Sequence, residues 1–263
     1  MTAARAGASL SSVASAARLL KEFGRGEREL GVTELSRRLG LAKSTVHRLV
    51  TTLTNERLLE REPTTSTYRL GIAMYDLGTS VAIHRDIHQV VLPVMEQLRS
   101  ATSESVQIGV RDIREVVYIE RLESPHTVRT FMRIGHRNWA HCTSTGKVLL
   151  AFLPPEQLEA LLEGWQPVAL TDRTITDLDQ LRRDLAGVRA RGFATNVNES
   201  EIGVASVAGA IRDSRGQVIA SLSLVGPTMR VTQRSLRRFS QLVVEASATV
   251  SDRLGHRGGT KGA

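Results

Sequence analysis

Apolar residues return at helical spacing in two short runs between Val32 and Leu53, separated by Gly40, Leu41 and Ala42. Val32, Leu35 and Leu39 share one face of the first run. Val46, Leu49, Val50 and Leu53 share one face of the second, in the rhythm of an amphipathic helix. Two short helices split by a tight glycine turn predict a helix-turn-helix. Upstream, Val13, Ala16, Ala17, Leu20 and Phe23 predict a preceding helix, with Ser11 or Ser12 as its N-cap. Downstream, residues 58–62 and 68–70 alternate around 63–67 and predict a β-hairpin, although its loop has no glycine to mark the turn. Three helices and a hairpin in this order predict a winged helix-turn-helix over 12–71.

Beyond it, Ile72, Tyr75, Leu77, Val81 and Ile83 predict a linker helix over 72–90 and a dimer contact. Val91, Val94, Met95 and Leu98 mark a further helix. Strands are predicted at 105–110, 116–122, 128–134, 204–211 and 218–225, the last two joined by the turn residues Asp213, Ser214, Arg215 and Gly216. Helices are predicted at 144–152, 155–162, 177–191 and 232–254. Strands at both ends with helices between them predict an α+β domain over 91–254, an antiparallel sheet covered by helices. Residues 1–11 and 255–263 are predicted to be disordered tails. A chain of 263 residues has room for this small head and a larger domain with a real core.

The outward face of the second short helix carries Lys43, Ser44, Thr45, His47, Arg48, Thr51 and Thr52, all able to hydrogen-bond and none acidic. That is the surface a recognition helix lays in the major groove of double-stranded DNA. Ser44, Thr45, His47 and Arg48 are the candidates for base or backbone contact. Lys43 and Arg69 are the candidates for phosphate, with Arg61 and the wing hydroxyls beside them. The net charge of +8 is uneven. Residues 1–72 hold 12 Lys/Arg against 7 Asp/Glu, whereas 73–263 hold 23 against 20. The excess therefore sits in the segment suspected of meeting an anion. Two alternatives stand beside this reading: a plain helical hairpin with a solvated face, and a winged helix that docks protein instead of DNA. A steep salt dependence of binding separates DNA from protein.

A single cysteine, Cys142, excludes an intramolecular disulfide and a cysteine zinc finger. The Ala-rich start is no secretory signal, and no apolar run approaches the ~18 residues of a membrane helix. A cytoplasmic protein without a membrane partner is expected. His84 and His88 stand at i, i+4 with no third ligand nearby, and read as surface or interface histidines, so no metal is expected. His141 beside Cys142 suggests a nucleophile and base. Neighbours on an extended segment point to opposite faces, however, so no catalytic residue, cofactor or enzyme activity is expected.

Several stretches together carry a resemblance. They are Val32 to Leu35, Leu39 to Leu49 and Tyr68 to Gly71 in the first part of the chain. In the second they are His141 to Ala151, Val188 to Ala194, Asn198 with Glu199 through Val204, and Gly226 with Pro227. In order and spacing the chain resembles the IclR family of transcriptional regulators over about 12–254. The resemblance implies a GAF-like effector domain for a small metabolite, homodimers or dimers of dimers, and control of transcription, repression foremost. It implies an effector site from Ser144, Thr145 and Gly146, completed by Asn196, Ser206, Ser223 and Val225. Free backbone N–H groups where that helix opens would accept a carboxylate. For Ser206 and Ser223 the competing reading is simple packing of small residues.

The chain also departs from the family pattern. Ala42 stands where proline usually opens the recognition helix, and Trp139 and Ala140 replace a proline and a larger apolar residue. Asn196, Ser206 and Val225 replace an acid, a cysteine and a serine, which turns the expected effector away from small keto-acids toward a neutral or larger molecule.

Overall fold

A computed structural model describes residues 11–25, 27, 29–79 and 82–256. The chain divides after Arg85 into two units.

In the first unit, α1 (Ser11–Glu22), α2 (Val32–Leu39) and α3 (Lys43–Asn55) precede the strands β1 (Leu59–Arg61) and β2 (Tyr68–Leu70). Gly40 ends α2 in the left-handed conformation, φ 63°, which a Cβ would disfavour. The Ser36 hydroxyl donates to the Leu41 carbonyl at 2.6 Å and fixes the turn into α3. Leu19, Phe23, Leu35, Val46, Val50, Leu53, Leu59 and Tyr68 form the core. On α1, Leu19 is the anchor, while the expected Val13 and Ala17 lie in solvent. The wing pairs Leu59 with Leu70, and Leu30 bridges Tyr68 on its other side. The glycine missing from its loop is replaced by Ser66 at φ 55°. The Glu62 carboxylate steadies that loop by accepting from the Thr64 hydroxyl at 2.9 Å.

Two helices follow, α4 (Ile72–Thr79) and α5 (Ala82–Thr102). The expected break between a linker helix and a helix from residue 91 is absent, since α5 runs through Pro93. The side chains of His84 and His88 lie outside the described residues.

The second unit is built on a six-stranded antiparallel sheet, in the order β5-β4-β3-β8-β7-β6. Its strands are β3 (Ser105–Asp112), β4 (Glu115–Leu122), β5 (Arg137–Trp139), β6 (Phe193–Val197), β7 (Val204–Arg212) and β8 (Val218–Pro227). The helices are α6 (Ser144–Ala151), α7 (Pro155–Leu162), α8 (Leu178–Arg191) and α9 (Gln233–Arg253). Side chains alternate across the sheet. Ala220, Leu222 and Leu224 of β8 join α5 and α9 in one core, while Ala194 and Ala208 join α6, α7 and α8 in the other. The fold is α+β, as expected from the sequence.

Two sequence expectations fail here. Residues 128–134 form no strand: Val128, Phe131 and Ile134 are exposed, and Gly135 turns the chain at φ 84° into the shorter β5. Arg129 and Arg133 break any alternating face. β6, absent from the expected strands, pairs with β7 through Asn196 opposite Ser206. Within the expected C-terminal tail, Gly255 and His256 bond back to Asp252 and Ser251 and close α9. Residues 257–263 lie outside the described residues.

Candidate DNA interface and effector cavity

On α3 the core side is Val46, Val50 and Leu53. Lys43, Ser44, Thr45, His47, Arg48, Thr51 and Thr52 are all exposed on the remaining surface. Lys43, His47 and Arg48 have no hydrogen-bond or ion-pair partner among the described residues. The Thr51 and Thr52 hydroxyls donate to the His47 and Arg48 carbonyls at 2.8 and 3.0 Å. They can accept from outside but have already spent their protons. Thr45 and Arg48 also border a groove against α1. Ala42 caps α3 without a side-chain bond. Arg69 differs from the others: it pairs with Glu60 at 3.0 Å and with Glu62 at 3.8 Å. Such exposed pairs are weak, so a phosphate can displace them.

In the second unit α6 begins behind a single helical turn at Ala140–Cys142. The segment is therefore not extended, and the opposite-face argument for His141 and Cys142 does not apply. Partners separate them instead. His141 Nε2 lies 3.0 Å from the Val168 carbonyl, and its ring stands edge-on to Trp165. Burial pushes the Cys142 thiol up to about 12 and pulls the His141 imidazole below its usual range.

The expected effector residues split into two groups. Ser144 and Thr145 are buried and tie α6 to the sheet: Ser144 Oγ lies 2.7 Å from Ser206 Oγ, and the Thr145 hydroxyl donates to Ser223 Oγ at 3.0 Å. The Gly146 N–H is not free, because the Thr143 hydroxyl oxygen caps it at 3.1 Å. A Cβ on Gly146 would overlap the Ala140 backbone, so this glycine serves close packing. Ser144, Thr145, Gly146 and Ser223 do not line the neighbouring cavity.

Asn196, Ser206 and Val225 do line it, in a space of about 220 Å³. Its other walls were not legible from motifs. Gln107 and Tyr118 come from β3 and β4, and Asn138 and Thr143 from the approach to α6. Ser200 and Glu201 come from the turn between β6 and β7, and Val204 from the start of β7. The irregular segment 123–136 adds Thr130, Phe131, Met132 and His136. Arg121 holds that segment by donating to the Thr130 carbonyl at 2.5 Å, and Arg230 holds it at the Val128 carbonyl at 2.9 Å. Burial pushes the Tyr118 phenol up, with hydroxyl and amide neighbours at Thr145, Asn138 and Thr143 drawing it partly back, so it stays neutral.

Behind the cavity, Lys147 Nζ sits 2.6 Å from a Glu199 oxygen and 2.9 Å from Asp184. Burial pushes the Glu199 carboxyl up while Lys147 draws it down, and burial is the larger influence. Among the described residues no cluster of His, Cys, Asp and Glu could hold a metal, and no helix is long and apolar enough to cross a membrane.

The comparisons agree with this geometry. Residues 12–63 match the model of the IclR helix-turn-helix domain, and residues 79–252 match that of the bacterial transcriptional regulator IclR C-terminal. The chain is 35% identical to the HTH-type transcriptional regulator XynR of Escherichia coli (strain K12), covering 94% of this chain and 98% of that one. It is 33% identical to KdgR of the same organism, covering 94% of each. Among solved structures, an IclR homolog from Microbacterium hydrocarbonoxydans complexed with 4-hydroxybenzoate superposes with a TM-score of 0.83 at 30% identity, covering 92% of this chain and 98% of that one. The chain belongs to the IclR family of transcriptional regulators, helix-turn-helix proteins that bind DNA and respond to effectors.

Proposed function

We propose that this regulator reads operator DNA with Lys43, Ser44, Thr45, His47, Arg48 and Thr51, and that a metabolite in the cavity bounded by Asn196 and Ser206 sets its DNA affinity. The observation that carries the reading is the exposed face of α3, where the cations are unpaired and no acid intrudes. A guanine contact by Arg48 would contribute about 1–3 kcal/mol of discrimination. Arg69 serves the phosphates after exchanging Glu60 for DNA. Residues 12–71 act as the DNA head and 91–254 as the effector domain. The working unit is a homodimer or dimer of dimers in the cytoplasm. Ile72, Tyr75 and Leu77 of α4 are each more than half exposed, which suits a helix covered by a second copy. Coupling between effector and DNA of about 1–3 kcal/mol suffices for a switch, with repression as the resting output. The buried thiol of Cys142 and the engaged imidazole of His141 favour a binding protein over an enzyme.

The test is a gel shift on DNA upstream of the protein's own gene, titrated with salt. The expected result is a shift that weakens steeply with salt and is lost or weakened about tenfold or more in Arg48→Ala. Full binding by the variant would overturn the assignment of α3 as the reading helix, whereas no shift even at low salt would favour the protein-docking alternative.

A further inference from the structure

The cavity's lining says more than that it binds a metabolite. Gln107 is nearly fully buried, and its Oε1 accepts from Arg121 at 2.5 Å. Its Nε2 has no partner among the described residues and belongs to a side chain in the cavity wall. Asn138, Ser200 and Thr130 add a further amide and two hydroxyls. No lysine or arginine lines the space among the described residues. The nearby cations are committed elsewhere: Arg121 to Gln107, Glu123 and Thr130, and Lys147 to Glu199 and Asp184. Among the described residues the wall's one carboxylate is Glu201, an exposed residue, and the His136 imidazole shares the wall with it. The opening of α6, where a carboxylate was expected to bind, has its Gly146 N–H taken by Thr143. Phe131, Met132 and Val225 supply apolar surface beside these polar groups.

A site of amides and hydroxyls with apolar patches and one negative charge matches a molecule that carries many hydroxyls on a carbon chain and no anion. An anion would face Glu201 with no lysine or arginine among the described wall residues to answer it. The volume of about 220 Å³ is below the ~300 Å³ at which drug-sized pockets begin. We infer that the effector is a small uncharged polyol or sugar, recognised through its hydroxyls by Gln107, Asn138, Asn196 and Ser200, with Glu201 selecting against its carboxylic-acid counterparts. This rests on the reading of the cavity as the effector site.

The experiment is calorimetric titration of the full-length protein, paired with the gel shift. Three sets of ligands are used: linear polyols and aldoses of three to six carbons, the aldonic acids of the same lengths, and pyruvate and glyoxylate. The expected result is binding by members of the first set, with the matching acids weaker by about tenfold or more. Gln107→Leu and Asn138→Leu should each weaken the best neutral ligand about tenfold. Asn138, at the sheet edge, keeps the test informative if the Gln107 variant unfolds. Glu201→Gln should narrow the gap between neutral ligand and acid, which a general loosening of the site would not do. Binding by acids alone, or by none of the three sets, overturns the inference. The gel separates the two claims: DNA shifted without any response to the neutral set removes only the ligand class, whereas a polyol bound by a protein that never shifts DNA removes the proposed function and leaves the ligand class standing.

Discussion

The two units use positive charge in opposite ways. On α3, Lys43 and Arg48 stand in solvent with no partner among the described residues. In the effector domain, Arg121 has a side chain only 3% exposed and engages Glu123, Gln107 and Thr130 through its three nitrogens. Lys147, also 3% exposed, lies between two carboxylates. A cation left in water retains its charge for a partner that arrives from outside. A buried cation is already answered, and its work is to hold the walls of a cavity in place. Counting basic residues therefore points to the DNA surface in the first unit and misleads in the second, where 22 Lys/Arg leave no lysine or arginine among the described residues of the cavity wall.

The largest effect that could break this contrast is on stability. Lys147→Met leaves the buried Glu199 without a counter-charge and Asp184 with only Arg191, at 3.6 Å. Loss of one partner from a buried ion pair costs about 3–5 kcal/mol. Urea unfolding followed by tryptophan fluorescence reads this unit alone, because Trp139 and Trp165 both belong to it. Arg38→Met in the head removes contacts to Glu34 and Glu27 at 2.5 and 2.6 Å from a side chain 21% exposed, and circular dichroism should find its midpoint closer to that of the parent. Equal losses from the two variants would show that burial does not distinguish the two groups of cations.

A smaller effect separates the helix starts. Thr143 caps α6 through its hydroxyl, whereas Ala42 opens α3 with no side-chain bond. Thr143→Val should lower stability by about 1 kcal/mol, and Ala42→Ser should raise it by about 0.5–1 kcal/mol. Thermal melts of the two variants check both signs. A stable Thr143→Val would mean that the sheet contacts of Ser144 and Thr145 suffice to hold the start of α6.

The same contrast explains what the sequence made legible. The head announces itself because one helical period sorts Val46, Val50 and Leu53 from Ser44, His47 and Arg48 within a dozen neighbouring residues. The sheet was readable where strands alternate cleanly, as in β7 and β8. β6 was missed because it is short and follows α8 directly. The segment 128–134 was misread because its apolar residues suggest a strand, while its arginines and Gly135 leave it as a loop beside the cavity. The cavity itself joins side chains from β3, β4, β5, β6, β7 and β8 with two irregular segments. No local period links Gln107 to Asn196 or Glu201. The family resemblance pointed to Asn196, Ser206 and Val225, which line the cavity. It also pointed to Ser144, Thr145, Gly146 and Ser223, which instead fasten α6 to its neighbours. Small side chains on adjacent strands give the same sequence signal for a pocket as for close packing, and only their place in the folded structure tells them apart: Ser206 bonds Ser144 and still faces the cavity.

Cys142 offers the finest test, since it is the one thiol in the chain. Folding holds it protonated up to about 12, against 9.0 when unperturbed, chiefly because it is buried. Thiolates rather than thiols react with alkylating agents. Iodoacetamide at pH 8.5 should therefore leave the native protein unlabelled and modify the urea-unfolded chain, as mass spectrometry will show. The linkage has a definite sign. Above pH 9 the unfolded chain releases a proton that the folded protein retains, so stability declines as pH rises from 9 toward 12. His141 acts at the other end of the scale. Its folded pKa lies below the ordinary 6.5, so as pH falls through 6.5 the unfolded chain takes up a proton that the folded protein refuses, and stability declines again. Urea midpoints should thus be highest between about pH 7 and 9. Native labelling as fast as in the unfolded chain would place Cys142 at the surface and overturn its assignment as a buried thiol.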